Sequence, residues 1–137
     1  MISRAGFLML LLTAACSGSD AVVSTGPRVA EANDGCLSLT PATPVSAPAH
    51  SSWIAIFTAQ ATNCGATSLW SVSASRSGAV TAITGITNGS FSLGSNGSKS
   101  IKVHITTGAA GTGRVIAHAQ VDGVAGDLID TVVVNVQ

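Results

Sequence analysis

Tyrosine is absent from this chain, and charged residues make up only 9% of it. Lys and Arg number six, as do Asp and Glu, so the net charge at neutral pH is zero. No field of either sign is available to draw the protein to nucleic acid or to an anionic membrane surface. A nucleic-acid partner is therefore not expected. The frames that carry common chemistries are missing too. There is no G-x-S-x-G elbow, and "GSNGSKS" lacks the glycine spacing of a phosphate-binding loop. No CxxC or paired histidine offers a zinc set. An enzyme is not expected, nor a cofactor. Beyond residue 16 no window of ten or more residues repeats its apolar positions every 3.6 residues, which argues against amphipathic helices. Low charge joined to Ala, Gly, Ser, Thr and Val is not the composition of a disordered chain. It suits sheets joined by glycine-containing turns.

The chain opens with "MISRAGFLMLLLTAAC". Arg4 supplies a positive start, and Phe7 to Leu12 form an apolar run much too short to cross about 30 Å of hydrocarbon. Ala14 and Ala15 then precede Cys16. This stretch resembles the signal peptide of bacterial lipoprotein precursors, with Thr13 standing where Leu is commoner. The resemblance implies that residues 1–15 are removed and that Cys16 is acylated on its thiol and its new amino group. More than one chain makes such anchoring stable, since each buried CH₂ contributes about 0.8 kcal/mol. The protein is then exported and membrane-bound through its lipid. Ser17 lacks the aspartate that holds lipoproteins at the inner membrane, so the outer membrane is expected if the host has one. The other reading of the segment is a secretory signal cut after Ala15.

Residues 16–35 are small and polar, and they read as a tether of at most some 60 Å at about 3.3 Å per residue. Cys36 and Cys64 are an even pair in an exported chain, for which a disulfide is the default.

From Cys36 the pattern becomes period two. "WIAIFTAQATNC" sets Trp53, Ala55, Phe57 and Ala59 on one face, and "LWSVSAS" does the same for Trp70, Val72 and Ala74. "SIKVHIT", "RVIAHAQV" and "DTVVVNV" alternate in the same way. "TPATPVSAP" suits an edge strand and its exit loop. "TNGS" and "SNGS" are Asn-Gly turns that accept the positive φ of tight hairpins. About seven strands so spaced predict an all-β domain, residues 36–137, built as a two-sheet antiparallel sandwich. A closed barrel fits the same faces.

The run "FSLGSNGSKSIKVHITTGAAGTGRVIAHAQVDGVAGDLIDTVVVNV" resembles the C-terminal half of bacterial immunoglobulin-like domains, and "LSLTPATPV", "FTAQATNCG" and "LWSVSAS" resemble the first half. The resemblance implies an Ig-like sandwich with Trp70 in its core. It also implies a spacer, adhesive or assembly unit. One departure is plain: antibody-type domains bridge their two sheets, whereas Cys36 and Cys64 would tie neighbouring strands.

Ligand sites are few. Asp122, Asp127 and Asp130 surround one glycine loop and are oxygen donors of the kind Ca²⁺ takes, though turn formation is the commoner reason for such a composition. His104 and His118 point outward from strands that an Ig-like topology puts in opposite sheets, and His50 stands alone, so no metal ligand set is expected. Asn88 and Asn96 match the glycosylation sequon, which the turn reading also covers. Trp70 and Phe57 fall in the core phase. Trp53, at a strand start, is left as the platform for a sugar ring. A protein or glycan partner at the envelope stays open.

Overall fold

The computed structural model describes residues 33–42 and 44–137. The signal segment, Cys16 and most of the tether lie outside the described residues. Ten strands follow in order: β1 (Asn33–Asp34), β2 (Leu37–Pro41), β3 (Val45–Ala47), β4 (Ser52–Ala61), β5 (Ser68–Gly78), β6 (Val80–Thr87), β7 (Ser90–Leu93), β8 (Ser98–Thr107), β9 (Gly111–Val121) and β10 (Leu128–Val136). They form two five-stranded sheets, β1-β2-β4-β8-β6 and β3-β10-β9-β5-β7. The domain is all-β, and the expected sandwich is present. Seven strands have five residues or more; β1, β3 and β7 are short edge pieces.

Alternation drives the arrangement. In β8 the burial runs out and in, so that Ile101, Val103 and Ile105 are buried while Lys102 is exposed. In β9 Val115, Ala117, Ala119 and Val121 face inward in the same way. Side chains on the two inner faces meet to make one core, from Leu39 and Phe57 on one sheet to Trp70, Val115 and Val134 on the other. Burying the larger of these contributes roughly 1.5–3 kcal/mol each.

Three local features depart from expectation. The proline-rich segment after β2 is more than an exit loop. Its Val45–Ala47 crosses to the second sheet and pairs in parallel with Val134–Val136. "AVTAITGIT" forms β6, a strand that alternation does not reveal. Its ladder with β8 shifts register twice, between Val80 and Ala82 and between Ile83 and Gly85, so its apolar residues fall in no single phase. Finally, the Asn-Gly turns do not close hairpins. Asn88 does adopt positive φ (61°), as the dipeptide predicts. Yet β6 and β7, which it joins, lie in opposite sheets, and so do β7 and β8 across Asn96-Gly97. The turn chemistry specifies a reversal, and the core then sorts each strand to the sheet that buries its apolar face.

The passage from β5 to β6 also changes sheet, and Gly78 makes the corner at φ 62°. A Cβ there would run into the Thr112 carbonyl oxygen, so no other residue fits without moving β9.

β1 pairs Asn33 with Ser38 and Asp34 with Leu37. The first sheet thus includes two residues assigned from sequence to the tether.

Cys36 and Cys64 form a disulfide with Cα atoms 5.2 Å apart. It joins the start of β2 to the end of β4, which are antiparallel neighbours with Leu37 opposite Ala61. The bridge is within one sheet, unlike the inter-sheet bridge of antibody domains. With 28 residues of sequence separation, the chain-entropy model gives about 3.5 kcal/mol of stabilisation. A Cys36→Ser, Cys64→Ser double variant should lose about that amount in denaturant unfolding, with a larger m-value because the denatured chain without the bridge exposes more surface. A loss below about 1 kcal/mol contradicts this account of the bridge.

Candidate functional site

One end of the sandwich is braced by hydrogen bonds that no sequence pattern announces. Thr107 is the buried polar residue among the core side chains. Its hydroxyl donates to the Pro48 carbonyl at 2.6 Å and accepts from the Ser51 N–H at 3.0 Å. The Ser51 hydroxyl donates to the same Pro48 carbonyl at 2.7 Å. Ala49 N–H donates to Gln137 O, Gln137 N–H to Ala47 O, and His50 N–H to Gly108 O. A buried hydroxyl so fully satisfied fixes the geometry of the turn entering β4. His50 occupies that turn at φ 50°.

Trp53 follows from this turn. It stands in the phase of Ala55 and Phe57, but at the strand start, beyond the closed part of the core. The indole is 40% exposed. With Ser46, Ala47, Pro48 and Gln137 it lines an open depression of about 390 Å³. Its polar neighbours are one serine hydroxyl and one glutamine amide. An indole face beside few polar groups is what a sugar ring stacks on, although one aromatic makes a meagre platform.

A second open depression, about 420 Å³, lies over β5 and β7 and is lined by Leu69, Trp70, Ser71, Ser90, Phe91, Ser92 and Asp122. Leu69 is 55% exposed there. Trp70 is buried below it, stacked on Phe91 with ring centroids 5.7 Å apart, and its Nε1 donates to Ser68 Oγ at 2.8 Å.

The three aspartates are not gathered. Asp122 borders the second depression. Asp127 Oδ2 lies 4.0 Å from His118 Nδ1, both side chains about one-third exposed. A pair so long and so wet contributes little. Asp130 stands in the core phase of β10, between buried Leu128 and Val132. Burial pushes its carboxyl above the ordinary carboxylate range, while the Thr131 N–H donating to Oδ1 at 2.7 Å pulls the other way. Among the described residues, no group of three or more His, Cys, Asp or Glu is placed to hold a metal ion. His104 bonds Thr87 on one sheet, His118 stands on the other, and His50 is at the turn.

Sequence patterns missed the exposed apolar residues other than Trp53. Ile54 and Ile56 are 39% and 38% exposed. The signal was present in "WIAIF", where bulky apolar residues occupy both phases of one strand.

No family model matches the chain, and no curated protein matches it. Solved structures do. Native alpha-2-macroglobulin from E. coli superposes with a TM-score of 0.62 at 9% identity, over 74% of this chain and 7% of that one. The PapD-like domain 7 of human CEP192 gives 0.57 at 12% identity, over 88% and 96%. This chain has an Ig-like β-sandwich fold. A family 123 glycoside hydrolase from Clostridium perfringens also matches, at 0.54 and 8% identity, over 74% and 27%. The chain spans less than a third of the macroglobulin and hydrolase chains. At these identities the likeness concerns the fold and carries no activity.

Proposed function

We propose that this chain is a lipid-anchored, non-catalytic module of the cell envelope, acting as a spacer, an adhesive unit or an assembly unit. The observation that carries the reading is Cys16, placed directly after a short apolar run and two alanines. A thiol in that sequence setting has a ready use as a lipid acceptor. The folded part supports the module reading. Its polar core group is consumed by bracing, and its depressions bring together neither a nucleophile with a base nor three metal donors among the described residues. Strands of up to 11 residues make a rigid body roughly 35 Å long, which the tether holds off the bilayer. Partners at the envelope are then proteins or glycans met by a neutral, weakly charged surface.

The exposed Trp53 favours a second reading, a ligand-binding accessory module for glycan or Ca²⁺, with Asp122, Asp127 and Asp130 as the cation donors. A glycan array probed with the soluble protein and with Trp53→Ala separates the two. The module reading expects no glycan binding that depends on Trp53 and no change of thermal midpoint on adding Ca²⁺. Specific glycan binding that disappears in Trp53→Ala would replace it with the second reading.

A further inference from the structure

β10 is an edge strand for most of its length. β9 lies along all of it on one side, whereas β3 covers only Val134–Val136 on the other. Leu128–Val132 therefore has no strand on its outer side among the described residues. Such an edge is a template for another strand. Which backbone groups it offers follows from the bonds at the covered end. Gln137 N–H donates to Ala47 O, and Gln137 O accepts from Ala49 N–H, so the backbone groups of Gln137 face β3. The β9 ladder runs along β10 without a register shift. Alternation then turns the backbone groups of Ile129 and Thr131 to that same side.

The side chains of this stretch break their pattern at one place. Leu128, Val132, Val134 and Val136 are buried, and Asp130 stands in their phase, where a valine would fit. A half-buried carboxylate between buried apolar residues is costly, and burial holds this carboxyl above the ordinary carboxylate range. Its Oδ1 accepts the Thr131 N–H at 2.7 Å. The donor in the middle of the free edge is thus engaged by the neighbouring side chain, where a strand would otherwise take it.

We infer that this edge is a pairing surface for a second copy of the chain, and that Asp130 keeps it closed. The edge is complementary to itself. Two copies related by a two-fold axis at Asp130 would run antiparallel, with Ile129 of each opposite Thr131 of the other. Because Ile129 and Thr131 turn their backbone groups to the free side, those are the hydrogen-bonded pairs. The two Asp130 residues between them form the close pair, with Cα atoms about 4.5 Å apart. Like charges directly opposite one another destabilise such a pair. Asp130 therefore acts twice: it takes up the Thr131 donor, and it sets two carboxylates face to face. Other edges are closed by simpler means. β3 has three residues between Pro44 and Pro48, β7 has four, and β6 is bulged. On a long, regular strand an inward-pointing charge does that work.

Analytical ultracentrifugation at neutral pH tests this on the chain from residue 16 onward, carrying Cys16→Ser so that it stays in solution. With Asp130 in place the protein should remain a single copy as its concentration rises. Asp130→Val should at least double the average mass over the same range. Asp130→Asn has nearly the shape of the original and removes the charge alone, so it should raise the mass too, though less. Adding Thr131→Pro to Asp130→Val should restore the single copy. Proline has no N–H to offer a second strand, and at a free edge it costs no ladder bond. Valine and asparagine variants that both stay single copies overturn the inference. So does association that survives Thr131→Pro and therefore belongs to another surface, or a chain that is already paired with Asp130 in place.

Discussion

Replacing Trp70 by alanine is expected to destabilise the domain by about 3–5 kcal/mol, the range for a fully buried large aromatic. The indole is 2% exposed and sits where β5 faces the opposite sheet. Three contributions vanish together: burial of the ring, its stack on Phe91, and the bond from Nε1 to Ser68. Phe91 loses its covering ring and cannot follow, because β7 is held to β5 along Ser68–Ser71. Domains of this size are stable by roughly 5–15 kcal/mol in total. The thermal midpoint should therefore fall by at least about 12 °C. Trp70→Phe keeps a ring against Phe91 and should cost less than half as much. Circular dichroism melts of the three proteins decide it, and an alanine variant within about 1 kcal/mol of the original would contradict the placement of Trp70 in the core.

A second large effect is expected at Cys16. Cys16→Ser should release the protein from the membrane fraction or leave it as unprocessed precursor. Two observations on the described residues support this. Among the described residues no helix is long and apolar enough to cross a membrane. Their apolar side chains are mostly turned into the sandwich. With two or more acyl chains at about 0.8 kcal/mol per buried CH₂, the lipidated form stays bound, and the variant lacks that contribution. Fractionation of cells expressing each form should move nearly all of the signal from pellet to supernatant, or to the precursor band. A processed variant that still sediments with membranes would contradict the anchor.

The strands with clean alternation were legible from residues alone. β4, β5, β8, β9 and β10 each bury one face, and period two reports that directly. β6 was not, because its two register shifts put apolar residues on both phases. β3 was hidden by the prolines on either side of it, and its parallel partner lies 89 residues further on. The Asn-Gly pairs were read correctly as reversals and wrongly as hairpins, since turn chemistry is local and the choice of sheet is set by the core. At the candidate site, Trp53 was visible as the aromatic outside the core. Its phase, however, is that of a buried residue, and only its place at the strand start exposes it. The Thr107–Pro48–Ser51 brace left no trace in sequence, because the bonding groups are about 56 to 59 residues apart. The three aspartates looked like a cluster for the opposite reason: nearness in sequence at a loop does not bring side chains together when two of them point to different sides of the sheet.

A lipid at Cys16 is the central proposal, and the mass of the detergent-extracted mature protein tests it most directly. Residues 1–15 should be gone, and the N-terminal peptide should carry Cys16 with two or three acyl chains and no free thiol. An N-terminal peptide that begins with an unmodified Cys16, or one that retains the signal segment in the exported protein, would contradict it.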